Sequence, residues 1–172
     1  MKNLRNLRPQ ELDGVFDLIG KDWMLITAAG KNDRGEEVVN TMTASWGGMG
    51  FLWNRAVAFC FVRPQRYTFA LTEQAERFSL SFFDEDYRGA LRLCGTKSGR
   101  ELDKLAAAGL TANRENGTPF VGESRLVLLC RKLYAGDIEA CGFIDKTQLV
   151  HYKNNDFHRM YICEIEKIYV RD

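Results

Sequence analysis

Short apolar runs separated by polar turns dominate the chain, and most of them have the period of strands. "WMLITAA" (23–29) is apolar and partly β-branched, "GKNDRGEE" is a turn signal, and "VVNTMTASW" alternates again, so the three predict a hairpin. "AVAFCFV" (56–62) predicts a buried strand ended by Arg63-Pro64, because proline cannot donate to a ladder. A short helix over 68–76 and a strand over "RFSLSFF" (77–83) follow, then a helix over "DEDYRGALRLCG" that closes at Gly95. "SGRELDKLAAAGL" (98–110) carries the clearest helical spacing, in Leu102, Leu105 and Ala106, and Ser98 with Glu101 forms an S-x-x-E capping box at its start. "SRLVLLCRKLYAG" and "HRMYICEIEKIYVRD" predict two long strands, with a polar loop from about 145 to 156 between them. The order is mainly β with α: antiparallel strands and short helices, most simply a small β-barrel decorated by helices.

Composition narrows the function classes. With 172 residues, 45% hydrophobic and 27% charged, the chain is expected to form one domain over 1–172. Its formal net charge of +1 gives no field that would attract nucleic acid. The longest apolar run, 56–62, falls far short of the roughly 20 residues that span a bilayer. "MKNLRNLRPQELDG" has basic residues with no apolar core after them, so no secretory signal is expected and the cytoplasm is the expected location. Cys60, Cys94, Cys130, Cys141 and Cys163 form no C-x-x-C pair and are expected to be buried, reduced thiols.

Most familiar chemistry is missing. "GGMG" is followed by "FLW" and lacks the third glycine of a dinucleotide loop; G-x-x-x-x-G-K-[ST], H-E-x-x-H and G-x-S-x-G do not occur. His151 and His158, the only histidines, have no companions at metal-ligand spacing. Phosphate fits better. "GTKSGRE" (95–101) sets Gly95, Thr96, Ser98 and Gly99 beside Lys97 and Arg100 at the expected start of a helix, where free N–H groups attract an anion. "RPQRYT" (63–68) offers Arg63, Arg66 and Thr68 between a strand and a helix, so two such ends can grip one phosphate monoester. "NTMTASWGGMG" (40–50) supplies small and hydroxyl-bearing positions, Thr41, Thr43, Ala44 and Ser45, beside Trp46; main-chain amides there can reach the edge of a flat ring. A phosphorylated flat heterocycle means FMN or pyridoxal phosphate, and this stretch holds no lysine for a Schiff base.

These segments, with "FSLSFF", "LCGTKSGRELDKLAAAGLT" and "DFHRMYICEI", resemble the flavin reductase-like family of FMN-binding split β-barrel proteins, including flavoredoxin-type members, from about residue 18 onward. The resemblance implies a Greek-key split barrel and a homodimer with FMN near the subunit interface. It implies that Thr41, Thr43, Ala44, Ser45 and Trp46 lie along the flavin ring. Arg63, Arg66, Thr68, Thr96, Lys97 and Ser98 would hold phosphate and ribityl chain, and His158 would act near the ring or the substrate. The implied activity is NAD(P)H-dependent flavin reduction, hydride passing from nicotinamide to FMN. Its alternative is a flavoredoxin-type carrier reduced by a redox protein partner. A cofactor-free dimeric protein on the same barrel is the third reading. Trp46, Phe51, Leu52 and Trp53 are expected at the dimer interface.

Overall fold

The computed structural model describes residues 4–171; Met1–Asn3 of the amino-terminal stretch and Asp172 of the last expected strand lie outside the described residues. The predicted hairpin is present: β2 (Met24–Lys31) pairs antiparallel with β3 (Glu37–Ala44), in register from Met24↔Ala44 to Lys31↔Glu37. After β3 come β4 (Gly47–Leu52), β5 (Arg55–Val62), α2 (Tyr67–Gln74), β6 (Arg77–Phe82) and α3 (Arg88–Thr96). The long strands β9 (Leu126–Asp137) and β10 (Arg159–Arg171) close the chain, and β1 (Leu4–Leu7) and α1 (Val15–Asp17) open it.

The main sheet runs β3-β2-β6-β9-β10-β5-β4, with β1 added to the far half of β10. Every pairing in it is antiparallel. β3 and β4 are therefore at opposite edges, yet only Ser45 and Trp46 join them. Laid flat, six inter-strand gaps would separate those edges by roughly 29 Å. Three Cα steps from Ala44 to Gly47 reach at most about 11 Å. The sheet must curl until its edges meet, and Ser45-Trp46 crosses the seam. Register shifts in the β9–β10 ladder at Ile162/Cys163 and Ile165/Lys167 mark irregularities of the kind that bend a strand pair.

The interior of the curl is filled by Met24, Ile26, Val62, Leu71, Phe78, Leu80, Phe82, Leu128 and Tyr161. A second cluster of Leu25, Phe83, Leu91, Cys94, Leu105, Leu110 and Val121 seats α3 and the following segment on the outside of β2–β3. A separate hairpin, β7 (Ala112–Glu115) with β8 (Thr118–Val121), which periodicity did not predict, packs beside them. Among the described residues no helix is long and apolar enough to cross a membrane.

Two expectations are corrected, for residues 98–110 and for Cys141. Residues 98–110 are not one helix: α4 spans only Lys104–Ala107, and its cap is Asp103, whose carboxylate accepts from the Ala106 amide at 3.1 Å. Ser98 instead accepts from the Arg100 amide at 3.2 Å in a turn. The physical reason is Gly99, which crosses so close to its neighbours that a Cβ there would lie 2.2 Å from Asn40 Oδ1 and 2.7 Å from Tyr67; helical continuation gives way to that crossing. The glycines of 47–50 form edge strand β4: a Cβ on Gly47 would meet the Phe59 carbonyl at 2.8 Å, so pairing with β5 explains that glycine. Cys141 is exposed, while the other four cysteines are buried; all five are free.

Candidate functional site

The seam gathers the ring-edge residues. At the end of β3 and the start of β5's exit loop, Thr43, Ala44, Ser45, Trp46, Phe61, Arg63, Arg66 and His158 line a cavity of about 220 Å³. Thr41 does not reach it. In the alternation of β3 it lies on the face of Leu25 and Thr43, opposite the interior-facing Met42, and it is fully buried with its hydroxyl bonded to Thr27 Oγ1 at 2.9 Å. Thr43, on the same face nearer the seam, donates to the Leu91 carbonyl of α3 at 2.5 Å, which holds α3 against the cavity rim.

A second cavity of about 170 Å³ lies at the amino end of α2, lined by Gln65, Arg66, Tyr67, Thr68, Thr96, Lys97, Ser98, Gly99 and Lys104. The two predicted phosphate segments thus meet, and Arg66, shared by both cavities, joins them. The helix end involved differs from the expectation. Thr96 and Lys97 close the carboxyl end of α3, and the amino end that faces the cavity is that of α2. Thr96 turns its hydroxyl back to the Arg92 carbonyl at 2.8 Å, and Thr68 accepts from Asn40 Nδ2 at 2.8 Å, so both are engaged within the protein.

Two cations here have no carboxylate. Arg66 Nη1 donates to the Gly95 carbonyl at 2.9 Å, and Lys104 Nζ donates to the Cys94 carbonyl at 2.9 Å; both acceptors lie at the negative end of the α3 dipole. Neither forms an ion pair among the described residues. Burial lowers the Arg66 pKa. Lys104, only 4% exposed, is brought down to about 8, first by burial, with neighbouring Arg66 adding repulsion. Two like charges gathered in a poorly hydrated place without a counter-ion have the chemistry to accept an anion. Sequence reasoning missed Lys104; its signal was a lone lysine in the apolar stretch "KLAAAGL".

Arg63 faces away from this receptor, which it does not line. Its guanidinium pairs with Asp156, donates from Nη2 to the His151 carbonyl at 3.0 Å and from Nε to His158 Nε2 at 3.3 Å. Arg63 lines the cavity along Thr43–Trp46 and is engaged there with the segment before β10. His158 is buried between Arg63 and Tyr152, whose hydroxyl is 3.0 Å from Nδ1. Since guanidinium can only donate, Nε2 accepts and Nδ1 carries the proton. Burial, then Arg63, lowers its pKa to about 4, so the ring is neutral at pH 7. Trp46 rests against His151 and His158, with centroids 5.2 and 5.3 Å apart.

The fold has counterparts among known proteins. No curated protein matches the sequence. Among solved structures, an FMN-binding domain of a flavin reductases-like enzyme from Shewanella baltica OS155 superposes with a TM-score of 0.66 at 15% identity, covering 98% of this chain and 78% of that one. Flavoredoxin of Desulfovibrio vulgaris (Miyazaki F) gives a TM-score of 0.66 at 20% identity, covering 87% and 69%. The NADH:FAD oxidoreductase of Streptomyces globisporus C-1027, in complex with NAD and FAD fragments, gives 0.63 at 14% identity, covering 88% and 74%. At such identities the likeness speaks for the fold, a split β-barrel. The family described as "Flavin reductase like domain" matches residues 17–172, nearly the whole chain, and the protein therefore belongs to the flavin reductase-like family.

Proposed function

We propose that this protein binds FMN and works as an oxidoreductase that reduces it with NADH or NADPH. The observation that carries the reading is the junction at Arg66, where the slot along Thr43–Trp46 opens into a receptor holding a half-buried arginine and a buried lysine, both without carboxylates. The donor set fits a phosphate monoester on a flat ring: Arg66, Lys97 and Lys104 for charge, Ser98 and the first amides of α2 for hydrogen bonds. Ala44, Ser45 and Trp46 would offer main-chain groups along the ring edge, and Thr43 fixes the rim through α3.

FMN bound there would supply the redox chemistry, accepting hydride from the nicotinamide. The chain's part is positioning and electrostatics. Amides of 44–46 would stabilise negative charge at the ring edge, while Trp46 and neutral His158 form an apolar wall that keeps water away. His158, with both ring nitrogens engaged, serves that wall and is no proton donor in this arrangement. A second copy of the chain would cover the seam, since Trp46, Phe51 and Trp53 beside it are 44%, 71% and 55% exposed.

The test is an anaerobic titration of FMN-loaded protein with NADH and, separately, NADPH, followed in the flavin absorption band. Rapid bleaching by either donor establishes the reductase and names its donor. Bound flavin that stays oxidised moves the protein to the flavoredoxin-type reading, with electrons arriving from a redox protein partner. Protein that takes up no FMN rules out both.

A further inference from the structure

We propose that Arg63 is a positioning residue: it latches the segment between β9 and β10, residues 138–158, onto the barrel, and that segment then sets which second substrate reaches the flavin. The substrate half of this rests on the flavin reading above; the latch itself does not.

The segment needs an anchor. It contains two 3₁₀ turns, Ala140–Gly142 and Lys146–Tyr152, and no strand, so no ladder holds it to the sheet. Its ends are tied by the Ile138 amide to the His158 carbonyl at 2.9 Å. Within it Tyr152 stacks on Phe157, with centroids 4.7 Å apart and rings 20° from parallel, and Phe143 packs on both. What fastens this unit to the body of the protein is Arg63. The guanidinium lies 5.4 Å from the Tyr152 ring centroid, and its nitrogens reach Asp156, the His151 carbonyl and His158 Nε2. Gln65 adds a bond to the same Asp156 oxygen at 2.8 Å. The Arg63 and Asp156 side chains are 26% and 18% exposed, so the pair is shielded from most screening. A planar fork that serves three acceptors at once is something arginine offers and lysine does not.

The consequence for the site follows from Trp46. Its ring rests on two members of the segment, His151 and His158, and Trp46 with His158 bounds one side of the cavity along Thr43–Ser45. Releasing the latch would loosen that wall without touching Arg66 or Lys104. Arg63 would then govern the fit of an incoming flat ring, while the phosphate stays held.

The experiment compares Arg63→Gln, Arg63→Lys, Asp156→Asn and Arg66→Gln. In cofactor-free protein, amide exchange across 146–158 should quicken by about tenfold or more in R63Q and D156N, as expected when charge-assisted bonds worth more than a neutral bond are lost. R63K should recover part of the protection and R66Q should not alter it. For R63Q the preference for FMN over riboflavin, read from flavin fluorescence quenching, should persist, whereas R66Q should erase it. In turnover with the nicotinamide, R63Q should raise KM about tenfold with kcat little changed. Loss of the FMN preference in R63Q, or unaltered exchange in both R63Q and D156N, would overturn the latch. If the unmodified protein binds neither flavin, the functional reading and the substrate half fail together, and exchange alone decides the latch.

Discussion

Lys104 and His158 are both buried ionisable groups, and their surroundings give them opposite relations to function. Lys104 is brought down to about 8 from an ordinary 10.5 by burial and by Arg66. Between those values the unfolded chain holds more protons than the folded one, so this residue makes the stability of the cofactor-free protein rise with pH from about 8 to about 10.5. A phosphate would draw the proton back, so FMN affinity should fall above pH 8, by at most about tenfold per pH unit. Stability rising while affinity falls across one window is the signature, and Lys104→Met should remove both trends in paired thermal and fluorescence titrations. For His158, folding lowers the pKa to about 4 from 6.5, and the unfolded state again binds more protons between them. Its contribution is therefore complete above pH 6.5 and is lost as pH falls towards 4, a loss of about 2–3 kcal/mol. Urea unfolding at pH 4.5 and 7 should show that slope, and His158→Gln should flatten it.

Among the elements, α4 shows how a local signal yields to tertiary contact. The Ser98–Glu101 capping box is a statement about four neighbouring residues; the backbone at Gly99 instead answers to Asn40 and Tyr67, which are remote in sequence. Asp103 caps in its place. Asp103→Ala should cost about 1 kcal/mol in chemical denaturation, with Ser98→Ala and Glu101→Ala well below that. The strands of the core were legible because burial enforces their pattern: β5 hides Val57, Ala58, Cys60 and Val62, and the run "AVAFCFV" reads so without help. β4 was not legible. Its turn uses Trp53 and Asn54 at φ of 51° and 57°, half of its residues are glycine and none is buried, so neither period nor apolarity marks it as a strand.

For the whole molecule, the curl of the sheet explains why the site sits at a seam and why apolar side chains remain outside. An edge strand with Phe51 and Trp53 at 71% and 55% exposure is a liability in a lone protomer. The protein is expected to sediment at twice its chain mass, and Phe51→Glu with Trp53→Glu should return it to the monomer; a monomeric parent protein would contradict this. What the sequence by itself determined is local in origin: the hairpin, the buried strands, the two phosphate-like segments and the small residues of 41–46, each written in neighbouring side chains. Which groups meet was decided only by the tertiary structure. Closure of the seam by Ser45-Trp46 brings the ends of the two edge strands together, the close pass of Gly99 brings Lys104 to Arg66, and the segment after β9 claims Arg63 for Asp156. Such pairings depend on burial and on contacts far apart in the chain, and no short window of sequence contains them.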